Sequence, residues 1–228
     1  METRTTFHKE IREIQDEILI MGSMVNKAIL QAIATLQNRD LTQAKQVIAD
    51  DQKINHKRFE IEDKCIQLIA TQQPMASDLR TIVTVLNIIT ELERIGDYAE
   101  GNAKIAIMIG EEPPLKPLVD IPLMAEKTVD MLDSSLIAFI NHDINAARII
   151  GAEDNLIDNL YAHVFQELLA LMANDPKTIT RATRLMRVAH NLERSADRIT
   201  NICERITFMV TGEMEEINGP KVLAGSIS

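Results

Sequence analysis

Tryptophan is absent from this 228-residue chain, and with five Phe and two Tyr the aromatics make up only 3% of it. β-Sandwiches and barrels draw on aromatic residues to fill their pleated faces, so an all-β fold is close to excluded. Glycine (8) and proline (7) are scarce as well. A chain of many short strands needs more turn residues than that, whereas long helices with few connections do not. The two cysteines, Cys65 and Cys203, lie far apart and form no CxxC pair, which leaves neither a zinc knuckle nor a disulfide framework. Reduced thiols in a cytoplasm are the expectation. No run of about 18 apolar residues occurs, and the first ten residues hold no apolar segment of the signal-peptide kind, so the chain reads as soluble. Basic residues are in deficit too, 24 Lys and Arg against 34 Asp and Glu, for a net charge of −10. A phosphate-neutralising surface does not fit that balance, and nucleic acid is not an expected partner. Acidic groups instead invite metal ions or a basic partner.

What is present is apolar: 46% of residues, enough for one ordinary core or two small ones. Ile11, Ile14, Ile18, Met21, Val25, Ala28, Ala32 and Leu36 recur at steps of three and four, which predicts a helix over about residues 7–38. Asn38-Arg39-Asp40 interrupts it, with Asp40 placed as the N-cap of a second helix that runs to Gln73-Pro74. Ser77 or Asp78 then caps a third, through Leu79 to Ile109. Pro113, Pro114 and Pro117 forbid a continuous helix and mark a linker. After it the order repeats, with helices expected near residues 123–141, 144–173 and 179–211.

The repeat is visible residue by residue. Asn38-Arg39-Asp40 matches Asn141-His142-Asp143 at a spacing of 103, and Asp51 and Asp154 each follow 11 residues after the turn aspartate. Leu92-Glu93-Arg94 with Asp97 matches Leu192-Glu193-Arg194 with Asp197 at a spacing of 100. The predicted fold is all-α: a tandem pair of three-helix bundles, six long antiparallel helices related by internal repeat. The expected units are residues 1–112 and 118–212, followed by a flexible tail over 213–228.

Counted at about 100° per residue from Leu92, Glu93 and Asp97 share one flank of the third helix, with Glu100 nearby. Glu193 and Asp197 occupy the same flank in the second half, joined by Glu204. Carboxylates four residues apart stand about 5–6 Å apart at Cβ and repel unless a cation intervenes. Oxygen donors suit Mg, Mn, Ca or Fe, and no thiolate set is present to favour zinc. Asp51 and Asp154, on the middle helices, are placed to complete the two ligand sets. A lone acidic pair of this kind is ordinary on a solvated helix face; its recurrence in one register of a repeat singles it out. Arg94 and Arg194 point away from this flank on the wheel, which weakens a local salt-bridge account. His142-Asp143 resembles the centre of a metal-phosphohydrolase motif, but helix capping explains it and Arg39-Asp40 alike. No Glu-x-x-His occurs, so a ferritin-like di-iron centre lacks its ligands. His56, His163 and His190 read as surface or packing residues before metal contacts. Walker, GxGxxG and GxSxG motifs are absent.

Ala76-Ser77-Asp78-Leu79-Arg80, Glu91-Leu92-Glu93-Arg94-Ile95-Gly96-Asp97 and Leu192-Glu193-Arg194-Ser195-Ala196-Asp197 give the chain, from about Phe7 to Gly212, a resemblance to the PhoU family of phosphate-transport regulators. The second motif reads Ser195-Ala196 where the family often has Ile-Gly. The resemblance implies two pseudo-twofold three-helix bundles, assembled as a homodimer, with metal ions on Glu93, Asp97, Glu193 and Asp197; the ion is left open among Fe, Mn, Mg and Zn. It further implies a cytoplasmic, non-enzymatic negative regulator of phosphate uptake. Its partners would be the subunits of the phosphate ABC transporter, which give it peripheral membrane association, and a membrane sensor histidine kinase. Arg80, Arg94 and Arg194 are the candidate partner or anion contacts. The rival expectation is a metal-dependent phosphohydrolase that uses the acidic clusters.

Overall fold

The structure, a computed structural model, describes residues 2–217, and among these no strand occurs. The first half contains α1 (Glu2–Asn38), α2 (Leu41–Gln72) and α3 (Ser77–Ile109). The second contains α4 (Asp120–Asn141), α5 (Ile144–Ala152), α6 (Asp154–Asn174) and α7 (Ile179–Thr211), with one 3-10 turn at Pro176–Thr178.

The repeat extends to backbone conformation. Arg39 and His142 both take left-handed φ values, 57° and 54°, to end their helices. The aspartates that follow cap the next ones: Asp40 accepts from the Gln43 amide at 2.9 Å and Asp143 from the Ala146 amide at 3.0 Å. Each cap is worth about 1 kcal/mol, which gives His142-Asp143 a structural role. At α3 neither Ser77 nor Asp78 is the cap. Ala76, at φ 48°, precedes the helix with no side-chain cap, and Asp78 lies in the first turn, where its charge favours the helix dipole.

The helix expected over 144–173 is broken at Glu153 into α5 and α6. The Glu153 amide donates to the Ile150 carbonyl at 3.0 Å and the Glu153 carbonyl accepts from Leu156 at 2.9 Å. Both bonds span three residues, so the chain tightens there without leaving helical torsions. Gly151 weakens the preceding turn, and a Cβ on it would stand 2.8 Å from Ile217 Cγ2.

Apolar stripes meet in one continuous core that includes Ile18 and Met21 of α1, Ile61 of α2, Ile88 and Leu92 of α3, Met124 of α4 and Ile199 of α7. The Phe7–Asn38 stretch is long and apolar enough to cross a membrane, but Ile14, Ile18, Met21 and Val25 are buried against the other helices, as in a core helix. The halves join through equivalent helices. Arg80 reaches the Met209 carbonyl, Arg198 reaches Glu91, Asn191 reaches Asn102, and Arg184 reaches the Met108 carbonyl, so α3 and α7 run antiparallel along their length. α1 and α4 touch at Gly22 and Leu136, and Asn26 donates to Asp133 at 2.6 Å.

Of the expected tail, residues 213–217 are tied to the second half. Arg148 pairs with Glu215 at 2.6 Å, and the Ile217 amide donates to Glu204 at 3.1 Å. Residues 218–228 lie outside the described residues.

Candidate functional site

The acids of the first half converge between α2 and α3. Asp51 is 8% exposed; its Oδ2 accepts from Asn55 at 3.0 Å, while its Oδ1 is buried without a hydrogen-bond partner. A Cβ on Gly96 would lie 3.5 Å from that oxygen, an ordinary contact distance that places the carboxylate against α3, and 3.2 Å from Ile54 Cδ1. Burial first, then repulsion from Glu100, Asp97 and Glu93, pushes the Asp51 carboxyl up to about 6. Asp97 is raised as well, by desolvation and then by Glu93 and Glu100. Cations stand on the rim: Arg58 lies 3.5 Å from Glu93, and Lys104 lies 2.5 Å from Glu100. Asp51, Glu93, Asp97 and Glu100 thus form one electrostatic unit.

In the second half Asp154 lies on α6 and Glu193 and Asp197 on α7, two helices that pack together, and their companions differ from those of the first half. Asp154 is 1% exposed, at the start of α6 beside the break. His190 Nδ1 lies 3.3 Å from Glu193 Oε2, and the Tyr161 ring packs on the imidazole at 5.8 Å between centroids. Burial, then Glu193, raises the Tyr161 phenol. Arg194 corrects the wheel argument: its Nη1 donates to Asp197 Oδ2 at 2.8 Å. A three-residue step puts the two α-carbons on neighbouring faces, and the long arginine stem folds across the gap. A hydrogen bond with Tyr98 comes first among the contacts that raise the Arg194 guanidinium.

Glu204 is directed elsewhere, accepting from the Ile217 amide. At the spacing of 100 its counterpart is Lys104, while Glu100 matches Thr200, a buried hydroxyl 3.4 Å from the Ala196 carbonyl. Sequence reasoning passed over Asn55 and Asp158, one turn beyond Asp51 and Asp154 on the same faces. Their signal is the four-residue step. Of the arginines, Arg80 is engaged with the Met209 carbonyl and Arg94 is exposed.

Among the described residues, the one His, Cys, Asp and Glu set with ligand atoms all within 4.8 Å of one another lies elsewhere: Asp120, His163 and Glu167. Lys116 pairs with Glu167 there and His163 Nδ1 lies 2.9 Å from Asp120, so the group has its own cation. A pocket of about 220 Å³ lies at the proline linker, lined by Leu36, Pro114, Leu115 and Leu185 with Arg39 and Arg181.

The sequence matches the PhoU domain twice, over residues 18–106 and 121–206. The chain belongs to the PhoU family. The phosphate-specific transport system accessory protein PhoU homolog of Clostridium acetobutylicum is 36% identical to this PhoU-family chain over 217 residues, spanning 95% of this chain and 99% of its own length. The Escherichia coli protein, named phosphate-specific transport system accessory protein PhoU, is 34% identical over 226 residues, with 97% and 94% covered. A crystal structure of the phosphate transport system regulatory protein PhoU from Streptococcus pneumoniae superposes with a TM-score of 0.85 at 31% identity, covering 92% of this chain and 99% of that one. PhoU from Pseudomonas aeruginosa superposes equally well, covering 91% and 100%. Both domain matches contain an acidic cluster, so the PhoU repeat and the recurring carboxylates share one register.

Proposed function

We propose that this chain is a regulator of phosphate transport, a non-enzymatic helical adaptor whose two carboxylate clusters hold metal ions. The phosphate role rests on what the relatives are named for. The metal role rests above all on one observation: Asp51 Oδ1 is a buried carboxylate oxygen without a partner, amid Glu93, Asp97 and Glu100. A divalent or iron-type cation fits that donor set, because it supplies the missing partner and cancels the repulsion among four acids. Asp51, Glu93, Asp97 and Glu100 would hold it in the first half, and Asp154, Glu193 and Asp197 in the second. The bound ion would supply charge, pinning α2 to α3 and α6 to α7.

With its seams fixed, the bundle pair presents one defined surface. In this reading the protein is cytoplasmic and acts as a homodimer. It reaches the membrane through the phosphate ABC transporter, contacts the transporter's sensor histidine kinase, and holds phosphate uptake and the starvation response down when phosphate is plentiful. Disruption of the gene should raise alkaline phosphatase under phosphate sufficiency. Expression that stays at the wild-type level would sink the regulator. Turnover of a phosphate ester by the purified, metal-loaded protein would favour the hydrolase instead.

A further inference from the structure

The two clusters are built on one register but not from one donor set. At the repeat spacings of 103 on the middle helices and 100 on α3 and α7, Asp51, Glu93 and Asp97 coincide with Asp154, Glu193 and Asp197. The surrounding positions diverge. Asn55 becomes Asp158 and Glu100 becomes Thr200, so the equivalent positions carry four carboxylates in each half. The divergence that changes chemistry is at Thr90 and His190. The Thr90 hydroxyl donates to the Leu86 carbonyl on its own helix at 2.9 Å and offers the first cluster nothing. His190 turns its Nδ1 to Glu193 at 3.3 Å, and its ring rests on Tyr161, which stands where the first half has Arg58.

We propose that the clusters select different cations: the first, all oxygen, a hard ion such as Mn²⁺ or Mg²⁺, and the second a borderline transition ion such as Zn²⁺ or Co²⁺, with His190 as its nitrogen ligand. The inference rests on the reading above that both clusters hold cations. In the first, the buried, partnerless Asp51 oxygen marks the ligand position, and every donor is a carboxylate or amide oxygen. Such a set suits hard ions. In the second, imidazole nitrogen beside carboxylates suits Zn, Co, Ni and Cu. The Tyr161 ring limits how the imidazole can turn, which keeps Nδ1 near Glu193. The side chain of His190 is 51% exposed, so the nitrogen is open to an arriving ion.

Metal-free full-length protein titrated separately with Mn²⁺ and Co²⁺ tests this, with bound metal read by elemental analysis and cobalt ligation by its electronic absorption. His190→Thr, which installs the residue of the other repeat, should weaken Co²⁺ binding at one site by about tenfold or more and leave Mn²⁺ binding within about twofold. Asp51→Asn should do the reverse. In the wild-type protein the His190 imidazole ¹⁵N resonances should shift on adding Zn²⁺ and stay in place on adding Mg²⁺, a readout that needs no variant to fold. Metal bound at both clusters, with His190→Thr acting on Mn²⁺ and Co²⁺ alike or on neither, overturns the inference and leaves the cation reading standing. Failure of wild-type protein to bind either ion overturns both.

Discussion

Asp51 Oδ1 lies 3.5 Å from the point where Gly96 would carry a Cβ, so the most buried carboxylate of the first cluster sits against α3 at contact distance. Its carboxyl titrates near 6 in the fold, against an ordinary value of 3.8. The folded state therefore holds this proton more tightly than the unfolded state. The contribution of Asp51 favours folding below about pH 4 and is lost as pH rises through 6. About two pH units at 1.36 kcal/mol each bounds the loss near 3 kcal/mol, to order of magnitude. In chelator-treated protein, Asp51→Asn should accordingly raise stability at pH 7 by about 1–3 kcal/mol and have little effect at pH 4. Denaturant melts of both proteins at the two pH values measure the difference. An equal effect at both would place the cause in packing instead of charge.

The same repulsion sets the response to metal. An ion that binds only the folded clusters at a hundred times its Kd adds about 2.7 kcal/mol per site. A divalent cation should raise the melting temperature of chelator-treated wild-type protein. The quadruple change of Glu93, Asp97, Glu193 and Asp197 to Ala should start higher than wild type at pH 7, bind no metal by elemental analysis, and show no such rise. Equal metal content in the two proteins would remove these four residues from the site.

Capping aspartates, stop signals and the repeat itself were legible in the sequence, because each is local or recurs at a fixed spacing. Asp40 and Asp143 illustrate the first kind, Glu93 and Glu193 the second. The break at Glu153 falls in Gly151-Ala152-Glu153-Asp154-Asn155, a glycine and a polar run that the apolar period of Ile150 and Ile157 masks. Arg194 was misread for a different reason. A helical wheel fixes directions at Cβ, but a guanidinium four bonds further out reaches Asp197 from the next face. Glu204 was assigned by its charge, yet it falls on the register of Lys104 and serves the Ile217 amide.

Because Arg194 occupies Asp197, it competes with any cation at the second cluster. Arg194→Gln should raise the affinity of that cluster several-fold and leave the first, whose nearest guanidinium is Arg58 at Glu93, within about twofold. The pair is partly exposed, so the stability cost of breaking it should stay below about 1 kcal/mol. Metal titration of the variant beside wild type checks both statements.

At the α1–α4 seam, a Cβ on Gly22 would fall 2.2 Å from Leu136 Cδ1, and Leu136 is buried. Gly22→Val should therefore cost about 1–3 kcal/mol through overpacking, despite its better fit to helix propensity than glycine. Adding Leu136→Ala to Gly22→Val should cost less than Leu136→Ala costs alone, because the valine fills part of the cavity. Additive effects in this double-mutant cycle would show that the two side chains do not meet.

The continuous core bears on whether the repeat is also a unit of unfolding. Cys65 lies in the core of α2 and Cys203 in that of α7, both fully buried, and burial pushes each thiol up to about 12. Neither should react with a thiol reagent at pH 7 while the protein is folded, since the thiolate is the nucleophile. Reaction then requires opening. α2, which carries Cys65, packs on α1 and α3; because α1 packs on α4 and α3 on α7, an opening that carries either of them with Cys65, or α7 with Cys203, breaks apolar contacts across the seam as well as within one half. Labelling followed by mass spectrometry in rising denaturant should give both thiols one common opening free energy. Cys203 reacting well before Cys65, or the reverse, would mean that the two halves melt as separate units joined by the proline linker.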